Sequence, residues 1–220
     1  MNPMNRVALV TGSSRGIGRA IAAQLAREGY AVGINYYERR DKAEELAAQL
    51  AREGCRALAV QADVSKRDEV NAMVKRVEEA FGPISVLVNN AGVGYYGLHE
   101  ELNPKKIQKM VRTNLEAPMI LTQQLLRTLK KNRGTVLNIS SVTAAQSNPH
   151  GCAYGATKAG LSGFAKSLFD EVRKYGVRVI TIQPDMAKTD LYRNADFCEG
   201  EEEASYLLPE EVAEAAAFAL

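Results

Sequence analysis

The 220-residue chain carries 28 lysines and arginines against 26 aspartates and glutamates, and 46% of its residues are hydrophobic. The net charge of +2 argues against nucleic acid or an anionic membrane as a bulk electrostatic partner. The length fits one sizeable domain over residues 1–220.

The three cysteines, Cys55, Cys152 and Cys198, are widely spaced and form no Cys-x-x-Cys pair. Such a scattered set predicts neither a disulfide framework nor a zinc site, and it favours a reducing compartment. The isolated His99 and His150 add no metal-ligand spacing. No stretch reads as a signal peptide or a membrane span, so we expect a cytoplasmic protein without a metal or a membrane partner.

The first predicted unit is a strand over residues 6–11, followed by a glycine-rich turn and a helix. The turn reads Gly-x-x-x-Gly-x-Gly from Gly12 to Gly18. Glycines admit close approach of a ligand to the backbone, and the helix N-terminus offers unpaired N–H groups at a positive dipole end. The order therefore predicts a phosphate-binding corner, although the glycine spacing alone fits a plain tight turn equally well.

Strands and helices then alternate along the chain. The segments between the strands keep helical spacing of apolar residues, which implies right-handed crossovers and a parallel sheet covered on both faces. We therefore predict an α/β fold with a three-layer, doubly wound parallel sheet. Apolar runs predict its further strands at residues 31–36, 56–61, 84–88, 135–139 and 177–183.

Two prolines mark the helical region between the fourth and fifth strands. Pro104 opens a helix at the position where its missing N–H costs nothing. Pro118 lies four residues after Asn114, so the main-chain oxygen of Asn114 should lack its helical partner and be free for water. A helix kink without a function is the alternative.

Tyr154 and Lys158 stand four residues apart at the start of the helix after the fifth strand. At this spacing the two side chains share one helix face. A nearby ammonium favours the phenolate, so Lys158 should lower the pKa of Tyr154 and suit it for proton transfer. From this pair alone, an ordinary tyrosine and lysine on a helix surface is the alternative.

Five motifs occur together across nearly the whole chain. They are Thr11-Gly12-x-x-x-Gly16-Ile17-Gly18, Asn89-Asn90-Ala91-Gly92, Asn114, Ser141 and Tyr154-x-x-x-Lys158. In their order and spacing they resemble the short-chain dehydrogenase/reductase family, with a general likeness to bacterial reductases of the 3-oxoacyl-(acyl carrier protein) type. The resemblance implies a single Rossmann-like, catalytic domain that binds a nicotinamide dinucleotide and passes hydride between it and a carbonyl or alcohol carbon.

The resemblance assigns catalytic roles to four residues. Tyr154 would donate or accept the proton, and Ser141 would orient and polarise the substrate oxygen. Lys158 would lower the pKa of Tyr154 and hold the nicotinamide ribose, and Asn114 would keep a water in the proton relay. Ser141 is chosen over its neighbour Ser140 because the family's serine stands thirteen positions before the tyrosine.

The same resemblance assigns cofactor contacts along the whole crevice. They belong to the pyrophosphate corner, the end of the second strand, the adenine pocket, the adenosine ribose side and the nicotinamide side. The residues are Gly12, Ser14, Arg15, Gly16, Ile17, Gly18, Asn35, Tyr36, Asp63, Val64, Asn90, Ala91, Gly92, Tyr154, Lys158, Pro184, Ala187 and Thr189.

Cofactor choice depends on the end of the second predicted strand. An enzyme that uses NAD usually places an acid there for the ribose hydroxyls, whereas Asn35-Tyr36-Tyr37 offers none. Arg15, with Arg39 or Arg40, could instead pair with a 2′-phosphate. We therefore predict NADP as the cofactor. NAD is the alternative, because Glu38 is an acidic residue close to the end of this strand.

Two features depart from the family pattern. Asp185 follows Pro184 where glycine is common, and its carboxylate either turns outward or alters substrate choice. The chain ends inside a helix that begins near Pro209, so we expect the final C-terminal strand of the sheet to be missing. Residues 185–206 form an expected substrate lid.

We therefore expect an NADP-dependent oxidoreductase that acts on a small-molecule carbonyl or alcohol, or on a carrier-bound acyl group, as a homo-oligomer (dimer or tetramer). An NAD-linked sugar or polyol dehydrogenase and a non-catalytic dinucleotide-binding sensor or scaffold are the alternatives. Tyr95 and Tyr96, in the loop after the fourth strand, either stack on a ligand or are simple loop aromatics.

Overall fold

The computed structural model describes residues 6–192, 195 and 205–220, and within them strands alternate with helices as predicted. No helix in this part of the chain has both the length and the apolar character needed to cross a lipid bilayer. The strands are β1 (Val7–Val10), β2 (Ala31–Tyr36), β3 (Ala57–Gln61), β4 (Val86–Asn89), β5 (Thr135–Ile139) and β6 (Arg178–Ile182). The helices are α1 (Gly16–Arg27), α2 (Arg40–Arg52), α3 (Arg67–Phe81), α4 (Pro104–Val111), α5 (Ala117–Asn132), α6 (Cys152–Val172) and α7 (Pro209–Ala219).

The strands form one parallel sheet in the order β3-β2-β1-β4-β5-β6, which confirms the predicted doubly wound topology. The chain runs outward from β1 to β3 and then crosses back to place β4 beside β1, where Ala8 pairs with Val86. Loops that leave the carboxyl ends of β1 and β4 therefore diverge to opposite sides of the sheet. This divergence opens a crevice between them.

Each face of the sheet has its own hydrophobic core, because successive strand residues point to opposite faces. Ala8 and Val10 pack in the core shared with α1, α2 and α7. Val7 and Leu9 pack in the core shared with α3, α5 and α6. The whole of β1 is buried in consequence, as expected for a parallel sheet covered on both faces, and the three layers are confirmed.

The region between β4 and β5 is not a simple kinked helix. After α4 the segment Arg112–Glu116 winds as a π-helical turn, in which the N–H of Ala117 donates to the oxygen of Arg112. Pro118 occupies the start of α5, where a missing N–H costs little. The turn carries Asn114 into the interior, where it is 1% exposed. The free main-chain oxygen of Asn114 stays a prediction.

The segment after β6 is described only in part. Asp190–Tyr192 forms a short 3-10 helix, and Ala187 bridges Leu207, so the two stems of the expected lid lie side by side. Residues 193–194 and 196–204 of that lid lie outside the described residues. Beyond β6, the described residues contain α7 and no further strand of the sheet. The lid and the single-domain organisation stay predictions.

Candidate active site

A cavity of about 870 Å³ lies in the crevice at the carboxyl ends of the strands. Segments that follow each of the six strands contribute to its wall. Open α/β sheets bind ligands at such a position, outside the point where the strand order reverses. The fold thus places the loops predicted from sequence around one space.

The glycine-rich turn after β1 forms one end of the cavity. Gly12 and Gly16 have φ of +62° and +54°, a left-handed conformation that favours glycine. α1 begins at Gly16, and no side chain caps its first turn, which also contains no acidic residue. The unpaired N–H groups and the positive end of the helix therefore fit a phosphate group.

Asn90 braces this turn from the loop after β4. Its Nδ2 donates to the oxygens of Thr11 and Gly12, at 2.8 and 3.1 Å. A Cβ at Gly18 would lie 2.3 Å from the same Nδ2, so the glycine leaves room for the amide. The glycine spacing read from sequence thus serves the packing of the turn as well as ligand approach.

Asn35 braces the turn from the opposite side. Its Oδ1 accepts a hydrogen bond from the N–H of Gly12 at 3.0 Å, and its Nδ2 donates to the oxygen of Ala62 at 3.1 Å. Asn35 lines the cavity, but its amide is committed to main-chain groups. Tyr36, 5% exposed, packs in the core instead of lining the cavity. Neither the bracing role of Asn35 nor the core position of Tyr36 was predicted. Hydrogen bonds from a buried amide to the main chain leave no characteristic spacing in a sequence.

Charged side chains at the end of β2 reach the cavity from the next residues along. Glu38 and Arg39 line it, as does Arg15 from the glycine turn. Arg15 pairs with Asp190 at 3.3 Å, and Arg39 pairs with Asp41 at 3.2 Å. Because these pairs are exposed, they hold the two cations only weakly.

The other predicted cofactor contacts lie on the cavity wall together with the glycine turn. They come from the turn itself and from the loops after β3, β4 and β6. They are Ser14, Ile17, Asp63, Val64, Ala91, Gly92, Pro184, Ala187 and Thr189.

Ser141, Tyr154 and Lys158 meet on the wall of the same cavity, and all three are buried. Ser141 follows β5 and shares a hydrogen bond with the hydroxyl of Tyr154 on α6. The Nζ of Lys158 donates to the oxygen of Ile139 at 2.8 Å and lies 5.6 Å from the centre of the Tyr154 ring. The structure therefore brings together the three residues that the sequence singled out.

Ser140 points away from this group. Its hydroxyl donates to the oxygen of Lys158 at 3.0 Å and lies 3.0 Å from the hydroxyl of Ser162. Ser140 therefore anchors α6 to the end of β5. The placement agrees with the choice of Ser141 as the residue beside Tyr154.

Burial is the main cause of the shifted pKa values of Tyr154 and Lys158. Burial raises the pKa of Tyr154 above its ordinary value, against a smaller lowering from its hydrogen bond with Ser141. Burial also lowers the pKa of Lys158 to about 8. The pKa of Tyr154 is thus raised and not lowered as predicted, because the loss of solvation dominates, and Lys158 is not among the causes of the shift. Tyr154 is a protonated phenol near neutral pH, which suits a proton donor.

Asn114 does not line the cavity but ties its surroundings together. Its amide exchanges two hydrogen bonds of 2.9 Å with the N–H and oxygen of Val93. Its Nδ2 also donates to the Oγ1 of Thr157 at 3.1 Å, and that hydroxyl donates to the oxygen of Tyr154 at 2.7 Å. Asn114 thus links the loop after β4 to the helix that carries Tyr154.

Asp185 lines the cavity and is exposed. Its Oδ1 accepts a hydrogen bond from the N–H of Met186 at 2.8 Å. This local bond folds the carboxylate back on its own backbone. The described residues hold no cluster of histidine, cysteine or acidic side chains suited to a metal ion.

A row of cations that was not predicted from the sequence lies along α4 and the first residue of the π-helical turn that follows it. Lys105, Lys109 and Arg112 all reach the cavity wall. Their spacing of four and three residues puts them on one helix face, and this spacing could have predicted the row from the sequence. A cationic row of this kind fits anionic groups of a ligand.

Comparisons with known proteins agree with this architecture. A family model described as short chain dehydrogenase matches residues 6–197. The 3-oxoacyl-(acyl-carrier-protein) reductase FabG of Staphylococcus epidermidis is 39% identical over 189 residues, which cover 86% of this chain and 78% of that relative.

Solved structures are similar over almost the whole chain. An alcohol dehydrogenase from the archaeon Thermococcus sibiricus, complexed with 5-hydroxy-NADP, is 34% identical with a TM-score of 0.88, covering 98% of this chain and 91% of that one. A 3-ketoacyl-(acyl-carrier-protein) reductase from Brucella melitensis, complexed with NADH, is 29% identical with a TM-score of 0.88, covering 99% and 91%.

Proposed function

The chain belongs to the short-chain dehydrogenase family and is an oxidoreductase, and we propose that it reduces the keto group of a 3-oxoacyl or related ketone substrate with NADPH. The observation that carries the proposal is the meeting of Ser141, Tyr154 and Lys158 in one cavity with the uncapped N-terminus of α1. The glycine turn and that helix end fit the phosphates of a nicotinamide dinucleotide.

A bound nicotinamide cofactor would supply the hydride that adds to the carbonyl carbon. The Oγ of Ser141 accepts from the N–H of Thr143 at 3.2 Å, which leaves its own proton to donate to the carbonyl oxygen. Tyr154 gives its proton to the same oxygen. The C=O π bond breaks as the new C–H and O–H bonds form, and the negative charge remains on the oxygen of Tyr154.

Lys158 supports this proton transfer through its charge. With a pKa of about 8 it is mostly an ammonium at pH 7. Its bond to the oxygen of Ile139 keeps the charge near the Tyr154 ring, where it stabilises the phenolate that forms. Asn114 would position the start of α6, because its Nδ2 donates to Thr157 and the hydroxyl of Thr157 donates to the main-chain oxygen of Tyr154.

Preference for NADP is supported by Arg15 and Arg39 on the cavity wall. A 2′-phosphate would compete with Asp190 and Asp41 for these weakly held guanidinium groups. Glu38 makes NAD the competing cofactor, since a carboxylate suits the ribose hydroxyls. Titration of the protein with each reduced cofactor decides the matter, and tighter binding of NADH would overturn the assignment.

A thioester substrate is supported by the likeness to 3-oxoacyl-(acyl-carrier-protein) reductase and by the cationic row of α4. The row fits phosphate groups such as those that carry acyl chains. The test is a substrate panel of 3-oxoacyl thioesters, simple ketones and sugars, followed by loss of NADPH absorbance. Turnover of sugars with NAD alone would favour the polyol dehydrogenase, and no turnover of any compound would favour a dinucleotide sensor. The homo-oligomer stays a prediction that light scattering tests.

A further inference from the structure

Two consecutive residues at the end of β5 hold Lys158 at its side chain and at its main chain. The main-chain oxygen of Ile139 accepts a hydrogen bond from the Nζ of Lys158 at 2.8 Å. The hydroxyl of the next residue, Ser140, donates to the main-chain oxygen of Lys158 at 3.0 Å. Ser140 and Lys158 are both buried. The ammonium and the backbone of this lysine are therefore tied to one point of the sheet.

Ser140 is also the last member of a chain of hydrogen bonds that begins at the surface. A main-chain oxygen can only accept, so the proton of the Ser140 hydroxyl is used on Lys158. In the 3.0 Å contact between the two hydroxyl oxygens, Ser162 is then the donor. The Nε2 of the exposed Gln183 donates in turn to the Oγ of Ser162 at 3.2 Å. Three donors thus point along one chain toward Lys158, and each strengthens the next.

The main chain of Ser140 belongs to the sheet and not to α6. Its N–H donates to the oxygen of Ile182 in β6 at 2.8 Å, and the N–H of Val142 donates to the oxygen of Pro184 at 3.1 Å. The Ser140 hydroxyl therefore ties the helix to a fixed edge. Within α6 the oxygen of Lys158 also accepts from the N–H four residues on, so loss of the Ser140 hydroxyl leaves the helical bonding intact.

We propose that Ser140 is a positioning residue for the reduction, because its hydroxyl holds Lys158 where the ammonium can stabilise the phenolate of Tyr154. The Nζ of Lys158 lies 5.6 Å from the centre of the Tyr154 ring, and its place depends on where the lysine backbone is held. The inference rests on the proposed function and deepens it, since it names a residue that acts on the reaction through Lys158.

Ser140→Ala tests the proposal because it removes only the hydroxyl. We expect kcat to fall about fivefold while KM for the carbonyl substrate stays constant. Ser162→Ala leaves the bond to Lys158 in place, so its effect on kcat should be smaller. The matched control is Ser167→Ala, an exposed serine of the same helix, which should change neither constant. An unchanged kcat in Ser140→Ala, or a change in KM alone, would overturn the proposal.

Chemical labelling of Lys158 supplies a readout that needs no turnover. Brief acetylation with acetic anhydride, followed by mass spectrometry, compares Lys158 with the exposed Lys166 of the same helix. A lysine held at both points reacts only when its bonds open, so Ser140→Ala should raise the relative labelling of Lys158 about fivefold. Ser167→Ala should leave it unchanged. A fall in kcat without a rise in labelling would show that Ser140 acts on its neighbour Ser141 and would overturn the proposal.

The two readouts together separate this inference from the proposed function. Unchanged labelling and unchanged turnover of Ser140→Ala in an active protein would overturn the role of Ser140 and leave the reduction standing. Raised labelling in a protein that turns over no carbonyl compound would instead overturn the proposed reduction, while the hold of Ser140 on Lys158 would remain.

Discussion

The two halves of the crevice are built on different principles. On the cofactor side, the turn after β1 is main chain that the buried amides of Asn35 and Asn90 hold in place. On the proton-donor side, the side chains of Tyr96, Tyr154 and Tyr192 converge from separate segments. The first half therefore depends on space around the backbone, and the second depends on hydroxyl groups. Changes in the two halves should affect binding and turnover separately.

Tyr154→Phe should give the largest effect, because it removes the proton that the reduction requires. We expect kcat to fall about 10²- to 10⁴-fold while NADPH affinity changes little. The measurement is steady-state kinetics together with a fluorescence titration of the cofactor. Tyr175→Phe, at a half-exposed position outside the cavity lining, is the control. Undiminished turnover in Tyr154→Phe would remove the proton donor from the mechanism.

Lys158→Met tests the buried charge on the same side. The pKa of Lys158 is lowered from 10.5 to about 8, so the unfolded chain binds more protons between these two values. Wild-type stability should therefore rise with pH across this window, by about 3 kcal/mol relative to Lys158→Met at about 1.4 kcal/mol per pH unit.

Urea unfolding of both proteins at pH 7 and pH 10 measures this difference. Lys166→Met changes an exposed lysine of the same helix and should follow the wild type. A constant gap between wild type and Lys158→Met at both pH values would show that the ammonium is not buried in the folded protein.

Gly18→Ala tests the cofactor side of the crevice, where the turn after β1 needs space around its backbone. The new Cβ would lie 2.3 Å from the Nδ2 of Asn90 and 2.7 Å from the oxygen of Gly12. We expect a loss of about 1–3 kcal/mol of stability from overpacking and a fall in dinucleotide affinity of about tenfold or more. Thermal unfolding and cofactor titration measure the two effects.

Gly163→Ala in α6 is the control with the opposite sign. Nothing lies within 4 Å of its Cβ, so the helix should gain about 1 kcal/mol. If Gly18→Ala binds NADPH as well as the wild type does, the turn adapts more freely than its close contacts imply, and the contrast between the two halves weakens.

Much of the sheet and its crevice could be predicted from the sequence because both rest on local patterns. Apolar runs separated by helical spacing determine the alternation, and the glycine turn follows the first run directly. Tyr154 and Lys158 share a helix face by spacing alone. These features need no knowledge of how distant segments pack.

The rest depends on contacts between segments that are far apart in the chain. The pKa of Tyr154 is raised, whereas the sequence predicted that it is lowered. Burial causes this rise, and Tyr154 is buried in a cluster with Tyr96 and Met110, which come from other segments. The sequence predicted Asn35 as a cofactor contact, but its amide oxygen accepts a hydrogen bond from the N–H of Gly12. The π-helical turn around Asn114 likewise has no signal beyond the proline that follows it.

Asp190→Asn should give the smallest effect and joins the two halves, since Asp190 belongs to the segment that also carries Tyr192. Its 3.3 Å pair with Arg15 is exposed, so stability should change by less than about 1 kcal/mol. Freed from this carboxylate, Arg15 should bind a 2′-phosphate more tightly, and the Kd for NADPH should fall by up to about fivefold while that for NADH stays constant. Glu53→Gln, which frees Arg27 outside the cavity lining, is the control and should change neither Kd. Equal changes for both cofactors would mean that Asp190 acts on the crevice as a whole, and Arg15 would lose its role in choosing NADP.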